Sequence, residues 1–260
     1  MEAMSPRTVD WLRPSADDET VPNAGLRERK KRQLRQLLSD TATQLFLERG
    51  FDNFRITEVA EACGVSEKTV YNYFPTKESL ILDRWQSTPS ALLHALADPA
   101  MAPIDAVLQV LDGDLRAWTS WYTKLERPAE AGAKVRQFAD MVQATPSLRA
   151  YERDMTDQLV AKAARALALR IGLKPEDPEP QIAAAALIEL WRVQDRSLRR
   201  HLQTASTPAQ IRNRVSTDVQ RTARLLRGGL AAFKSLEPRV RGASAAVRVA
   251  PGPRRRSSNA

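Results

Sequence analysis

Few residues in this chain have the types and spacing for catalytic chemistry. One cysteine (Cys63) and two histidines (His94, His201) cannot assemble a Cys/His zinc site. No cluster pairs a nucleophile with a base, and no glycine loop offers a phosphate cradle, so neither an enzyme nor a cofactor or metal is expected. What stands out is cationic. Arg27, Arg29, Lys30, Lys31, Arg32 and Arg35 outweigh Glu28, and such a run attracts phosphate backbones or acidic membranes. The whole chain carries 40 Lys and Arg against 31 Asp and Glu, a net charge of +9. No run of about 18 apolar residues occurs, so no membrane span is expected. A single cysteine asks for no oxidising compartment.

A second feature follows the basic run. Ala60, Gly64 and Val70 have the spacing of a helix-turn-helix. Ala60 lets two helices cross closely. Gly64 accepts the backbone angle of a tight turn without a Cβ penalty. Val70 plugs the second helix onto the first. Such a hairpin can present its second helix to a DNA major groove.

The elements that must position these residues all read as helix. Leu34, Leu37, Leu38, Leu45 and Phe46 recur at helical spacing and stop at Gly50. Ile56 to Cys63 makes a short second helix. Ser66 caps a third, which Pro75 ends. Thr76 caps a fourth, carrying Leu80, Ile81 and Trp85. Beyond Pro89 the helices lengthen. Ile104, Leu108, Leu111, Leu115, Trp118 and Tyr122 form one apolar stripe. Phe138 to Val142, then Leu148 to Leu167, then Ile182 to His201 follow. The last helix opens at Pro208, with Ile211, Val215, Val219, Leu226, Leu230 and Phe233 on one side. Gly228-Gly229 predicts an end or a bend in it. The fold class is all-α.

Residues 64–80, Gly-Val-Ser-Glu-Lys-Thr-Val-Tyr-Asn-Tyr-Phe-Pro-Thr-Lys-Glu-Ser-Leu, resemble the N-terminal signature of the tetracycline-repressor (TetR) family of bacterial transcription regulators. Gly50-Phe51-Asp52 and the basic first helix fit as well, so the resemblance covers residues 26–86. It implies an N-terminal three-helix helix-turn-helix DNA-binding domain and a C-terminal helical domain for ligand binding and dimerisation. The expected boundaries are a disordered extension at 1–25, the DNA-binding domain at 26–74, a connecting helix at 75–88, the larger domain at 89–236 and a disordered basic tail at 237–260.

The resemblance also implies roles at matching positions. Lys68 would donate to guanine, Asn72 would pair with adenine, and the Thr69 methyl would meet thymine. Tyr71, Tyr73 and Lys77 resemble the family's phosphate contacts, and Ser66, which caps the helix beside them, is counted with the DNA-binding residues. One of the two tyrosines packing into the core is the alternative. Arg55 departs from the family pattern, which favours Thr or Ser there. It cannot accept a capping hydrogen bond, though it can still meet a phosphate.

For the larger domain, Trp118, Trp121, Tyr122, Phe138, Met141, Met155 and Trp191 supply most of the aromatic and thioether content. They are the expected lining of an apolar cavity for a small apolar or aromatic effector. Ile182–His201 and Pro208–Phe233 are the expected homodimer interface. The reading is a cytoplasmic repressor, released from an inverted-repeat operator in double-stranded DNA by that effector. The alternative is a DNA-binding protein with no small-molecule ligand, controlled by a partner protein or acting architecturally.

Overall fold

The computed structural model describes residues 25–83, 87–204 and 207–234. The expectations for residues 1–24, for Trp85 and for residues 235–260 fall outside them, as do the side chains of Leu230 and Phe233. Among the described residues there are ten helices and no strand. The first four are α1 (Leu26–Arg49), α2 (Ile56–Ala62), α3 (Glu67–Tyr73) and α4 (Lys77–Ile81). Six more follow: α5 (Ser87–Ala97), α6 (Pro103–Thr123), α7 (Pro128–Ala144), α8 (Pro146–Ile171), α9 (Pro178–Thr204) and α10 (Pro208–Lys234).

The punctuation is local chemistry. Five of the last six helices open on proline, whose missing N–H costs nothing in a first turn. For that reason α9 starts at Pro178, four residues before the first apolar residue of its pattern. Gly172 closes α8 with φ +67°, its N–H bonded to the Ala168 carbonyl. The expected break at Gly228-Gly229 does not occur, since α10 runs through to Lys234. Its packing against α6 and α9 outweighs the intrinsic cost of two glycines, about 1 kcal/mol each.

The connector is also not one helix. α4 ends at Ile81, with Leu82 as its C-cap. Pro89 has no N–H for a helical bond, so it is tolerated only in a helix's first turn. A new helix, α5, therefore begins at Ser87.

Two apolar cores hold the helices. Leu38, Ala42, Leu45 and Phe46 of α1 lie on one face and are fully buried against Val59, Val70, Phe74 and Leu80. Burying each Leu or Phe contributes about 1.5–3 kcal/mol. This core does not stop at the small N-terminal unit. The Phe46 and Phe138 rings meet edge to face at 5.6 Å, joining α1 to α7. The second core joins α5, α6, α8, α9 and α10 around Leu92, Leu111, Leu167 and Leu187.

A polar seam ties α9 to α10. The Ser197 hydroxyl donates to Asp218 at 2.7 Å, and His201 Nε2 lies 3.1 Å from the same oxygen. Arg200 and Arg221 lie close to it as well, and the Ser197 hydrogen bond first, then His201 and Arg221, hold the Asp218 carboxyl below its usual range. The stripe Ile211, Val215, Val219 and Ala223 is buried within its own subunit. That corrects its assignment to a dimer face: the side of α10 carrying the apolar repeat packs inward, and Leu225 on the other side is 77% exposed.

Candidate nucleic-acid interface and adjoining cavity

The start of α2 shows how Arg55 is accommodated. Arg55 is the N-cap, and its own side chain makes no capping bond. The Glu58 carboxylate reaches back instead and accepts from the Arg55 N–H at 2.7 Å. Arg49 pairs with Glu58 at 2.8 Å, and that carboxyl sits below its ordinary value, chiefly through the backbone bond. The helix therefore starts without a Ser or Thr, and the Arg55 side chain stays exposed.

The turn is built as its residues require. Gly64 has φ +66°, and the Val65 N–H bonds the Ala60 carbonyl at 3.0 Å. Ser66 Oγ accepts from the Thr69 N–H at 3.1 Å, and its hydroxyl meets the Thr69 hydroxyl at 2.8 Å. Val70 and Phe74 are buried and hold α3 against α1. That anchoring turns Lys68, Tyr71 and Asn72 outward, all exposed on neighbouring turns of one face, with Thr69 half-buried beside them. The two tyrosines separate: Tyr71 is exposed, while the Tyr73 ring is half-buried on the core.

Lys77 is placed otherwise than expected. Its ammonium points inward and donates to the carbonyls of Phe51 and Phe54. It also lies 3.9 Å from the centre of the Phe54 ring and 4.7 Å from that of Phe51. Burial lowers its pKa from the ordinary lysine value. This corrects the phosphate role: the loop after α1 presents two carbonyls beside the start of α4, and the lysine stem reaches them.

Arg35 is corrected in the same way. It is part of the basic run in sequence, but its guanidinium is engaged by Asp83. Arg27, Arg29, Lys30 and Lys31 on the first turns of α1 are exposed.

The expected aromatic cavity divides in two. Trp118 stacks on Tyr122 at 4.7 Å, and Trp121 meets Trp118 edge-on at 6.2 Å. The Tyr122 hydroxyl donates to the Pro128 carbonyl at 2.6 Å. A Cβ at Gly132 would lie 2.9 Å from that hydroxyl, so the glycine is what lets α7 come this close. With Phe138 and Met141 these side chains pack into the first core and fill it. Trp118, Trp121, Tyr122, Phe138 and Met141 are therefore absent from the lining of the cavity at Met155 and Trp191, because they are taken up in joining α6 and α7 to the N-terminal unit.

Met155 and Trp191 do line a cavity, of about 460 Å³, between α7, α8, α9 and the connector at Leu82 and Pro89. Its lining is far more charged than expected. Arg149, Arg153, Arg192, Arg196 and Arg199 face Asp140, Glu152 and Asp195. Arg199 pairs with Asp195 at 2.6 Å. Burial nonetheless pushes the Asp195 carboxyl up to about 6, with Arg199 opposing the shift. Sequence reasoning missed Arg149, Arg153, Arg196, Arg199 and the three acids because charges on Arg-rich helices read as a solvated face. The available signal was Arg149-x-x-x-Arg153 on α8 beside Trp191-x-x-x-Asp195-x-x-x-Arg199 on α9, one helical face each.

Residues 38–83 match the family model of bacterial regulatory proteins, tetR family. The chain is 30% identical over 180 residues to the HTH-type transcriptional regulator TcmR of Streptomyces glaucescens, a match covering 68% of this chain and 78% of TcmR. The solved structure of a TetR-family regulator from Streptomyces coelicolor A3 superposes with a TM-score of 0.40 at 21% identity, over 77% of this chain and 99% of that one. The helix-turn-helix and the likeness to TcmR along most of both chains define a transcriptional regulator, not an enzyme. The chain belongs to the TetR family, whose members bind DNA and typically form dimers.

Proposed function

We propose that this protein is a homodimeric, cytoplasmic repressor that leaves an inverted-repeat operator when a small molecule fills the cavity at Trp191. The observation that carries the DNA reading is the outward face of α3. Lys68, Tyr71 and Asn72 project from a helix whose other side is pinned by Val70 and Phe74. Lys68 donates to guanine O6/N7, and Asn72 pairs with adenine N6/N7. Thr69 offers its methyl to thymine. Tyr71 and Arg55 meet phosphates, and Arg27, Arg29, Lys30 and Lys31 grip the flanking backbone without reading sequence.

Dimerisation uses the outer sides of α9 and α10, where Ile182 is 68% and Leu225 77% exposed. Two half-sites then require the two-fold geometry. A ligand acts only by preferring the DNA-incompetent state. Tenfold preference shifts the balance by about 1.4 kcal/mol per site, and two sites together give about a hundredfold.

The test is operator binding by Lys68→Ala and Asn72→Ala. Each is expected to cost about 1–3 kcal/mol and to relax base preference at one position per half-site. Full, sequence-specific binding by the double variant overturns the reading.

A further inference from the structure

The cavity has a pronounced imbalance. Its lining holds five arginines against three carboxylates. Glu189, just outside it, serves both Arg192 at 3.3 Å and Arg196 at 2.5 Å. Glu152 accepts from Gln143 at 3.0 Å, and Asp195 is held by Arg199. Arg149 and Arg153 have neither an ion pair nor a hydrogen-bond partner among the described residues. They stand one turn apart on α8, and both line the cavity. Like charges at this spacing destabilise a helix, and an anion between them removes that cost. Their exposure places them at the solvent side of the cavity. The apolar part of the lining is Leu82, Met155, Leu159 and the ring of Trp191. Asp195, paired with Arg199, is part of the same lining.

We propose that the cavity takes a flat organic monoanion, its acidic group held by Arg149 and Arg153 and its apolar body lying against Trp191, Met155 and Leu159. This rests on reading the cavity as the effector site. A carboxylate accepts two parallel N–H bonds from a guanidinium, the strongest neutral-pH match for these side chains. The ring system covers apolar wall that is otherwise wet. The carboxylates of Asp140, Glu152 and Asp195 repel a second negative charge, which limits the ligand to one.

Three isosteric probes test this: anthracene-2-carboxylate, its carboxamide, and 2-(aminomethyl)anthracene as the ammonium. Binding is read by calorimetry, and operator occupancy by fluorescence anisotropy in the same titration. The carboxylate is expected to bind at least tenfold more tightly than either analogue. The Arg149→Gln/Arg153→Gln variant is expected to bring it down to the affinity of the amide and to leave the amide unchanged. Trp191→Ala is expected to weaken carboxylate and amide alike. Circular dichroism checks that each variant is folded. Equal or tighter binding of the amide or the ammonium, an anion preference that survives the double variant, or binding of none of the three overturns the proposal. Selective carboxylate binding with the operator still occupied supports the anion site and removes the effector reading.

Discussion

Arg35 and Asp83 form a fork between the first helix and the end of the fourth. The closest approach is 2.6 Å from Nη2 to Oδ1, and Nε lies 3.0 and 3.1 Å from the two carboxylate oxygens. The same guanidinium donates to the Tyr73 carbonyl at 3.3 Å and lies 4.7 Å from the centre of the Phe74 ring. Arg35 therefore ties the end of α3 to the residues just after α4. The residue before Asp83, Leu82, lines the cavity.

That contact chain makes Arg35 a positioning residue. Because Arg35 is 40% exposed, its fork contributes about 1–2 kcal/mol. Arg35→Gln is expected to lower operator affinity about tenfold for matched and mismatched sequences alike. It is also expected to lower the ratio between free and ligand-bound operator affinity. Anisotropy titrations with and without ligand measure both. An unchanged ratio means that the fork carries no coupling.

Lys77 gives a prediction of opposite kind from a phosphate contact. A lysine that neutralises a phosphate flattens the dependence of affinity on salt by about one when it is removed. An ammonium spent on Phe51 and Phe54 does not. Lys77→Met is expected to cost about 1–3 kcal/mol of stability, since two carbonyls lose their donor. The salt slope of operator binding is expected to stay as in the parent protein. Thermal melts and affinities at several salt concentrations distinguish the two roles.

Asp195 sets a pH dependence with a defined sign. Its carboxyl titrates near 3.8 when unfolded and at about 6 in the folded chain. Between these values the folded state holds the proton more tightly, so stability from this group falls as pH rises from about 4 to about 6. The fall is at most about 3 kcal/mol. Asp218 has the reverse sign, and its contribution is lost as pH falls below the ordinary carboxylate range. The difference between the parent and Asp195→Asn in urea midpoints across pH 4–6 isolates the first effect. A flat difference contradicts it.

The two sides of α10 predict separable failures. Val219 is 4% exposed within one subunit, so Val219→Glu is expected to unfold the protein by burying an unpaired charge. Ile182→Glu and Leu225→Glu lie on the outer faces and are expected to yield folded monomers with weakened operator affinity. Light scattering with circular dichroism reads both outcomes. A dimer that survives both outer substitutions places the interface elsewhere.

Much of this was determined by local chemistry that the residues carry themselves. Ser66 and Thr76 cap, Gly50 stops α1, and Pro208 opens α10 through interactions spanning a few positions, so their effects need no knowledge of the fold. The helix-turn-helix at Ala60, Gly64 and Val70 was legible for the same reason, as were the outward Lys68 and Asn72, whereas Thr69, expected beside them, is half-buried, and only the packing decided that Tyr71 rather than Tyr73 faces out. What only the tertiary structure decided involves groups distant in sequence. Lys77 reaches carbonyls 26 and 23 residues away, and Arg35 reaches Asp83 across 48. An apolar stripe such as Ile211 to Ala223 specifies that a face is buried, but not whether its own subunit or a partner covers it, because burial is non-directional. The arginines and acids of the cavity read as solvated helix surface until the packing of α8 against α9 closes them around Trp191. Their partners, and so their electrostatics, exist only in the assembled chain.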